Sequence, residues 1–104
     1  MANKIKDENI DYLFAVIRSL ETEEECYNFF EDLCTVSEIK EMSKRLLAAR
    51  LLSNNCIYSE IAKRTGLSTA TISRVNRSLK YGNDGYLAVM DRVPDKYKLN
   101  LDED

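Results

Sequence analysis

Between Tyr58 and Lys80 the chain reads YSEIAKRTGLSTATISRVNRSLK, and the side chains there that can do chemistry are hydroxyls and cations. Ser68, Thr69, Thr71 and Ser73 offer short donors and acceptors; Lys63, Arg64, Arg74, Arg77 and Lys80 offer positive charge. Together they suit hydrogen bonding to base edges on the floor of a DNA major groove, with charge-assisted contacts to the flanking phosphates. That chemistry needs the residues on one exposed face of a helix held firmly against another. The spacing predicts such a pair. A short helix runs from about Ser59 to Arg64, Thr65-Gly66-Leu67 form the turn, and Ser68 caps a second helix ending near Lys80. Gly66 sits where the chain must bend tightly, with a positive φ that glycine tolerates best. Ala62 is small where the two helices cross. Ile61, Leu67, Ile72 and Val75 fall on the inner faces, which leaves Ser68, Thr69, Thr71, Ser73, Arg74 and Arg77 outside.

Composition narrows the alternatives. At 104 residues the chain is expected to be a single domain over 1–104, with the helix-turn-helix at about 58–80. A hydrophobic share of 44% supports a small core. No apolar run reaches membrane-spanning length, and Met1 to Glu8 carry no apolar signal-like region, so a cytoplasmic chain is expected. Cys26, Cys34 and Cys56 lie far from any CxxC spacing and read as reduced packing residues rather than redox or metal ligands. Histidine is absent, which removes Ser-His and Cys-His pairs and histidine-containing zinc sites. With three glycines there is no glycine-rich phosphate loop, so no enzyme and no metal site is expected.

The net charge of −3 is unevenly distributed. Residues 1–39 hold 3 basic and 10 acidic side chains, residues 40–80 hold 9 and 2, and residues 81–104 hold 3 and 6. Phosphates respond to the field within a Debye length of roughly 8–10 Å, so the positive middle segment outweighs the acidic total. The plainer reading, cations that only solvate a helix face, remains open for Lys40 and Arg50.

The remaining elements read as all-α. A first helix spans about Asn9 to Leu20, with Ile10, Leu13, Phe14 and Ile17 in one stripe, yet Tyr12 to Ile17 is an unbroken apolar run. Either this helix is central in a monomer or a partner chain covers it; a two-fold dimer is the economical answer. A second helix opens at Thr22 with Glu25 completing a capping box, and carries Cys26, Tyr27, Phe29, Phe30 and Leu33. A third opens at Thr35 with Glu38 as a second box and runs to about Leu52. Ile39, Met42, Leu46 and Ala49 lie on one face of it, widened by Leu47, Ala48 and Leu51. After Tyr81-Gly82-Asn83, a sixth helix is expected from Asp84 to about Val93, closed by Pro94, and the tail Asp102-Glu103-Asp104 reads as loose.

The residues Ala70-Thr71-Ile72-Ser73-Arg74 followed by Ser78-Leu79-Lys80, and Thr35 with Arg45 ten residues on, resemble the Trp repressor superfamily, in particular its YerC/YecD-like branch. That family has ATITR and SLK at the same spacing. The match covers Thr35 to Lys80 and, more loosely, a six-helix plan. The resemblance implies an intertwined homodimer whose first three helices interlock, with two reading heads set in successive major grooves of a pseudo-palindromic operator. It places DNA contacts at Ser68, Thr69, Ala70, Thr71 and Ser73 and a backbone contact at Lys80. From chemistry alone Arg77, Lys63 and Arg64 join them; Ser68 also reads simply as a helix cap. The family's corepressor, L-tryptophan, is held between arginines that match Arg45 and Arg74, near Thr35. Where the family has a glycine after the second arginine this chain has Val75, and Asp32 and Cys34 stand where it has leucines. Such a pocket rejects tryptophan, takes another small ligand, or is filled by the protein's own side chains; no cofactor is required. The expected function is a dimeric transcriptional regulator, most simply a repressor. The alternative is a helical protein-interaction module whose helix-turn-helix does not read DNA.

Overall fold

The computed structural model describes residues 5–97. Among them there are six α-helices and no strand: α1 Glu8–Arg18, α2 Glu23–Leu33, α3 Val36–Ser53, α4 Tyr58–Thr65, α5 Thr69–Tyr81 and α6 Gly85–Met90, followed by a 3₁₀ turn at Asp95–Tyr97. The all-α reading holds. The acidic tail lies outside the described residues. The chain groups into two compact units, one up to Ile39 and one from Lys40 onward.

In the first unit, each helix start is fixed by a short polar side chain. Asp7 caps α1 by accepting the Ile10 N–H at 2.8 Å. Thr22 caps α2 by accepting the Glu25 N–H at 3.1 Å, but the expected box is only half made: the Glu25 carboxylate accepts the Glu21 N–H at 2.8 Å instead of reaching Thr22. At Thr35 the box is reciprocal. The Thr35 hydroxyl accepts the Glu38 N–H at 3.1 Å and Glu38 Oε1 accepts the Thr35 N–H at 2.8 Å. Those bonds stabilise the ionised carboxylate and hold Glu38 below the ordinary glutamate range. No residue of α1 or α2 is buried. Phe29 and Phe30 meet edge to face, with ring centroids 5.3 Å apart.

The second unit holds the core: Ala48, Ala49, Leu51, Ile61, Leu67, Ile72 and Val75. All four positions expected to face inward from the helix-turn-helix are in it, and Ala62 packs against it partly buried. The expected face of α3 is only partly right. Ala48, Ala49 and Leu51 are buried, while Met42 and Leu46 stand 44% exposed. Leu51, Ile61 and Ile72 are fully buried, so cutting any of them to alanine removes about 2–5 kcal/mol.

The sixth helix is shorter than expected and stops at Met90. Asp84 has φ 61°, a left-handed conformation that cannot start the helix from within, and Val93, preceding Pro94, is biased away from helical ψ. Beyond it, Arg50 on α3 donates to the Tyr97 carbonyl, tying the 3₁₀ turn to the second unit. α5 ends at Gly82, whose N–H closes on the Ser78 carbonyl at 2.9 Å in a conformation that has no room for a side chain, since a Cβ would come within 2.3 Å of that oxygen.

Candidate nucleic-acid interface

The turn between α4 and α5 sets the geometry of everything outside it. Gly66 takes φ 76°, ψ 5° and its N–H closes on the Ala62 carbonyl at 2.8 Å, a left-handed helix stop that needs glycine. Thr65, only 5% exposed, braces the bend from inside. Its hydroxyl donates to the Ile61 carbonyl at 2.7 Å and accepts the Leu67 N–H at 3.1 Å. Sequence reasoning gave Thr65 no role beyond the turn; a hydroxyl between a helix end and a glycine was the available signal.

Ser68 caps α5. Its oxygen accepts the Thr71 N–H at 3.1 Å while its hydroxyl donates to Thr71 Oγ1 at 3.1 Å. The Ser68 hydrogen is thus spent inside the chain, which is the plainer reading given for it. Thr71 keeps its own hydroxyl hydrogen to donate elsewhere. With Ile72 and Val75 turned into the core, Thr69, Ala70, Ser73, Arg74, Arg77 and Lys80 are all exposed on α5. On α4, Lys63 is exposed, whereas Arg64 is held by Glu60 one turn earlier, with Nε 3.3 Å from Oε1. Lys63 therefore stands as a ready cation and Arg64 as one already shared.

The residues matched to a ligand site divide between the two units. Arg45 on α3 and Arg74 on α5 line one cleft of about 170 Å³, together with Glu41, Thr71, Val75, Ser78 and Tyr86. Thr35 is occupied in the capping box of the first unit. Arg45 Nε lies 3.7 Å from Glu41 Oε2, an i,i+4 pair that was readable from spacing but not singled out. Ser78 and Tyr86 were likewise unassigned by the sequence reading, because only the fold brings them to the arginines.

Among the described residues no helix is long and apolar enough to cross a membrane. The profile of the Trp repressor protein family matches residues 8–94. The chain is 50% identical over 91 residues to the uncharacterized protein YerC of Bacillus subtilis strain 168, covering 88% of each. The fold is similar to the crystal structure of a TrpR-like protein from Eubacterium eligens ATCC 27750, with a TM-score of 0.83 and 52% identity over 88% of this chain and 94% of that one. It is also similar to a candidate Trp repressor from Staphylococcus aureus, with a TM-score of 0.81 and 49% identity over 86% and 89% of the two chains. With an all-α fold, a buried helix-turn-helix core and a family match spanning all six helices, the chain belongs to the Trp repressor family, whose members are DNA-binding regulators and not enzymes.

Proposed function

We propose that this protein is a sequence-specific transcriptional regulator that binds a pseudo-palindromic operator as a homodimer, represses from it, and works in the cytoplasm. The observation that carries the reading is the outer face of α5. Thr69, Ala70, Ser73, Arg77 and Lys80 stand exposed on a helix whose inner face, Ile72 and Val75, is locked in the core and whose start is fixed by Gly66 and Ser68. Rigid presentation of small donors and cations is what major-groove readout requires. Thr71 adds a donor at the edge of that face, and Lys63 adds a cation from α4. A partner chain is supported by the apolar residues a single chain leaves open, Tyr12 at 73% and Phe14 at 47% exposure among them.

The test is selection of bound duplexes from a random DNA pool, run with and without L-tryptophan. Enrichment of a two-fold-symmetric site supports a dimeric, sequence-specific regulator; enrichment only with tryptophan adds a corepressor. Enrichment of nothing in either arm removes base readout and favours a head that docks protein. Affinity for the selected site should fall steeply as salt rises, since each neutralised phosphate releases counterions.

A further inference from the structure

The cleft between α3, α5 and α6 presents two guanidinium groups from different helices, Arg45 and Arg74, with the hydroxyl residues Thr71, Ser78 and Tyr86 also in its lining. Such a set calls for a carboxylate or another small anion. One is already there. Glu41 lines the same cleft from one helical turn before Arg45, its Oε2 3.7 Å from Arg45 Nε. The side chains of this pair are 51% and 43% exposed, so it adds little to stability. Its effect is competitive instead. A carboxylate tethered four residues away acts against a free one as though present at about millimolar concentration or above.

Space works in the same direction. Val75, 4% exposed, is part of the lining, and the cleft of about 170 Å³ is well under the roughly 300–1,000 Å³ that encloses a small organic ligand. We propose that Glu41 is a built-in counter-ion for the Arg45/Arg74 pair, standing where a soluble carboxylate would be held, so that the cleft is closed to free carboxylates and the reading head is assembled without one. Its consequence at DNA rests on the function proposed above: the regulator binds its operator with no small carboxylate co-ligand.

The test needs no DNA. Sodium acetate and, separately, L-tryptophan are titrated at constant ionic strength into the full chain and into Glu41→Gln, followed by ¹⁵N amide shifts of Thr71, Val75 and Ser78. Glutamine keeps the size of the side chain and removes its charge at a part-exposed position, and the amide spectrum itself reports whether the fold is kept. The wild-type protein is expected to show no saturable shift with either compound. Glu41→Gln should bind acetate at least about tenfold more tightly, the size of one charge-assisted hydrogen bond, and Glu41→Gln/Arg74→Ala should lose that response. Saturable binding of acetate or L-tryptophan to the wild-type cleft overturns the proposal, and so does a folded Glu41→Gln protein that responds to acetate no better than wild type. Neither result decides whether the protein reads DNA, and a selection that enriches nothing leaves this result untouched; a selection that enriches a site only with L-tryptophan counts against the proposal.

Discussion

Thr65 shows how much of a reading head can hang on one hydroxyl. It is buried, it donates to the end of α4, and it accepts the Leu67 N–H on the far side of the turn. Thr65→Val keeps the shape and strands that N–H, which costs about 1–3 kcal/mol; the Tm should drop by several degrees, read by circular dichroism, and an unchanged Tm removes the brace. Arg77 is the opposite case, exposed on α5 with no carboxylate within 4.0 Å among the described residues. Arg77→Ala should leave the Tm alone and weaken operator binding about tenfold, the lower part of the range for a base contact and enough to detect by fluorescence anisotropy. Unchanged affinity takes Arg77 off the contact surface. At this scale the sequence was informative where periodicity decides exposure, as at Ile72, Val75 and Ser73. It was silent where partners come from elsewhere in the fold, as with Tyr86 beside Arg74.

Elements depend on how the chain enters and leaves them. The sequence offered two capping boxes of the same pattern, Thr22/Glu25 and Thr35/Glu38, and only the second closed on itself. The pattern fixes the threonine's bond to the helix, but the glutamate's partner depends on the backbone before the cap, which the pattern does not encode. Glu38, ionised more readily in the folded chain than in the unfolded one, contributes stability above the ordinary glutamate range. That contribution fades as pH falls through its lowered value. The expected result is a Tm advantage of wild type over Glu38→Gln at pH 7 that shrinks towards pH 3 in parallel melts; a constant gap contradicts it. Gly66 sets the angle between α4 and α5 through its left-handed backbone, with open space around its missing Cβ. Gly66→Ala should therefore destabilise through strain alone, by about 1–2 kcal/mol, and Gly66→Asn by less, since asparagine tolerates that region. The turn glycine was legible because few residues serve there. The end of α6 was not, because its C-cap Asp91 keeps a right-handed backbone and has no signature as distinct as a turn glycine.

Across the whole molecule, charge and apolar surface point to different partners. The positive stretch 40–80 includes α4 and α5, the elements that would meet a duplex, whereas α1, α2 and the middle of α3 leave apolar side chains open, as α6 does with Leu87 and Val89. Tyr12, Phe14, Tyr27, Leu33, Met42 and Leu46 are each at least 44% exposed, a pattern that a second copy of the chain would cover. Phe14→Asp should then yield monomers by light scattering; a folded, dimeric mutant shows that α1 lies outside the interface. The apolar excess of the first helix was plain from Tyr12 to Ile17. Which side of it is covered was not, because a periodicity describes one helix and an interface needs two chains.

The absence of any buried residue in α1 has a consequence for the life of a newly made chain. Eleven residues with none fully buried, and only Ile10, Leu13, Val16 and Ile17 half-buried, gain less from their own chain than a core helix does, and an isolated helix of that length is marginal in water. If a second copy covers it, as in the dimer proposed above, its order then depends on mass action. Diluted protein should melt at lower temperature, and amide hydrogens of α1 should exchange with solvent before those of α5. A cell holding few copies would clear the unpaired chains through its proteases, so the number of working regulators would rise more steeply than the rate of synthesis.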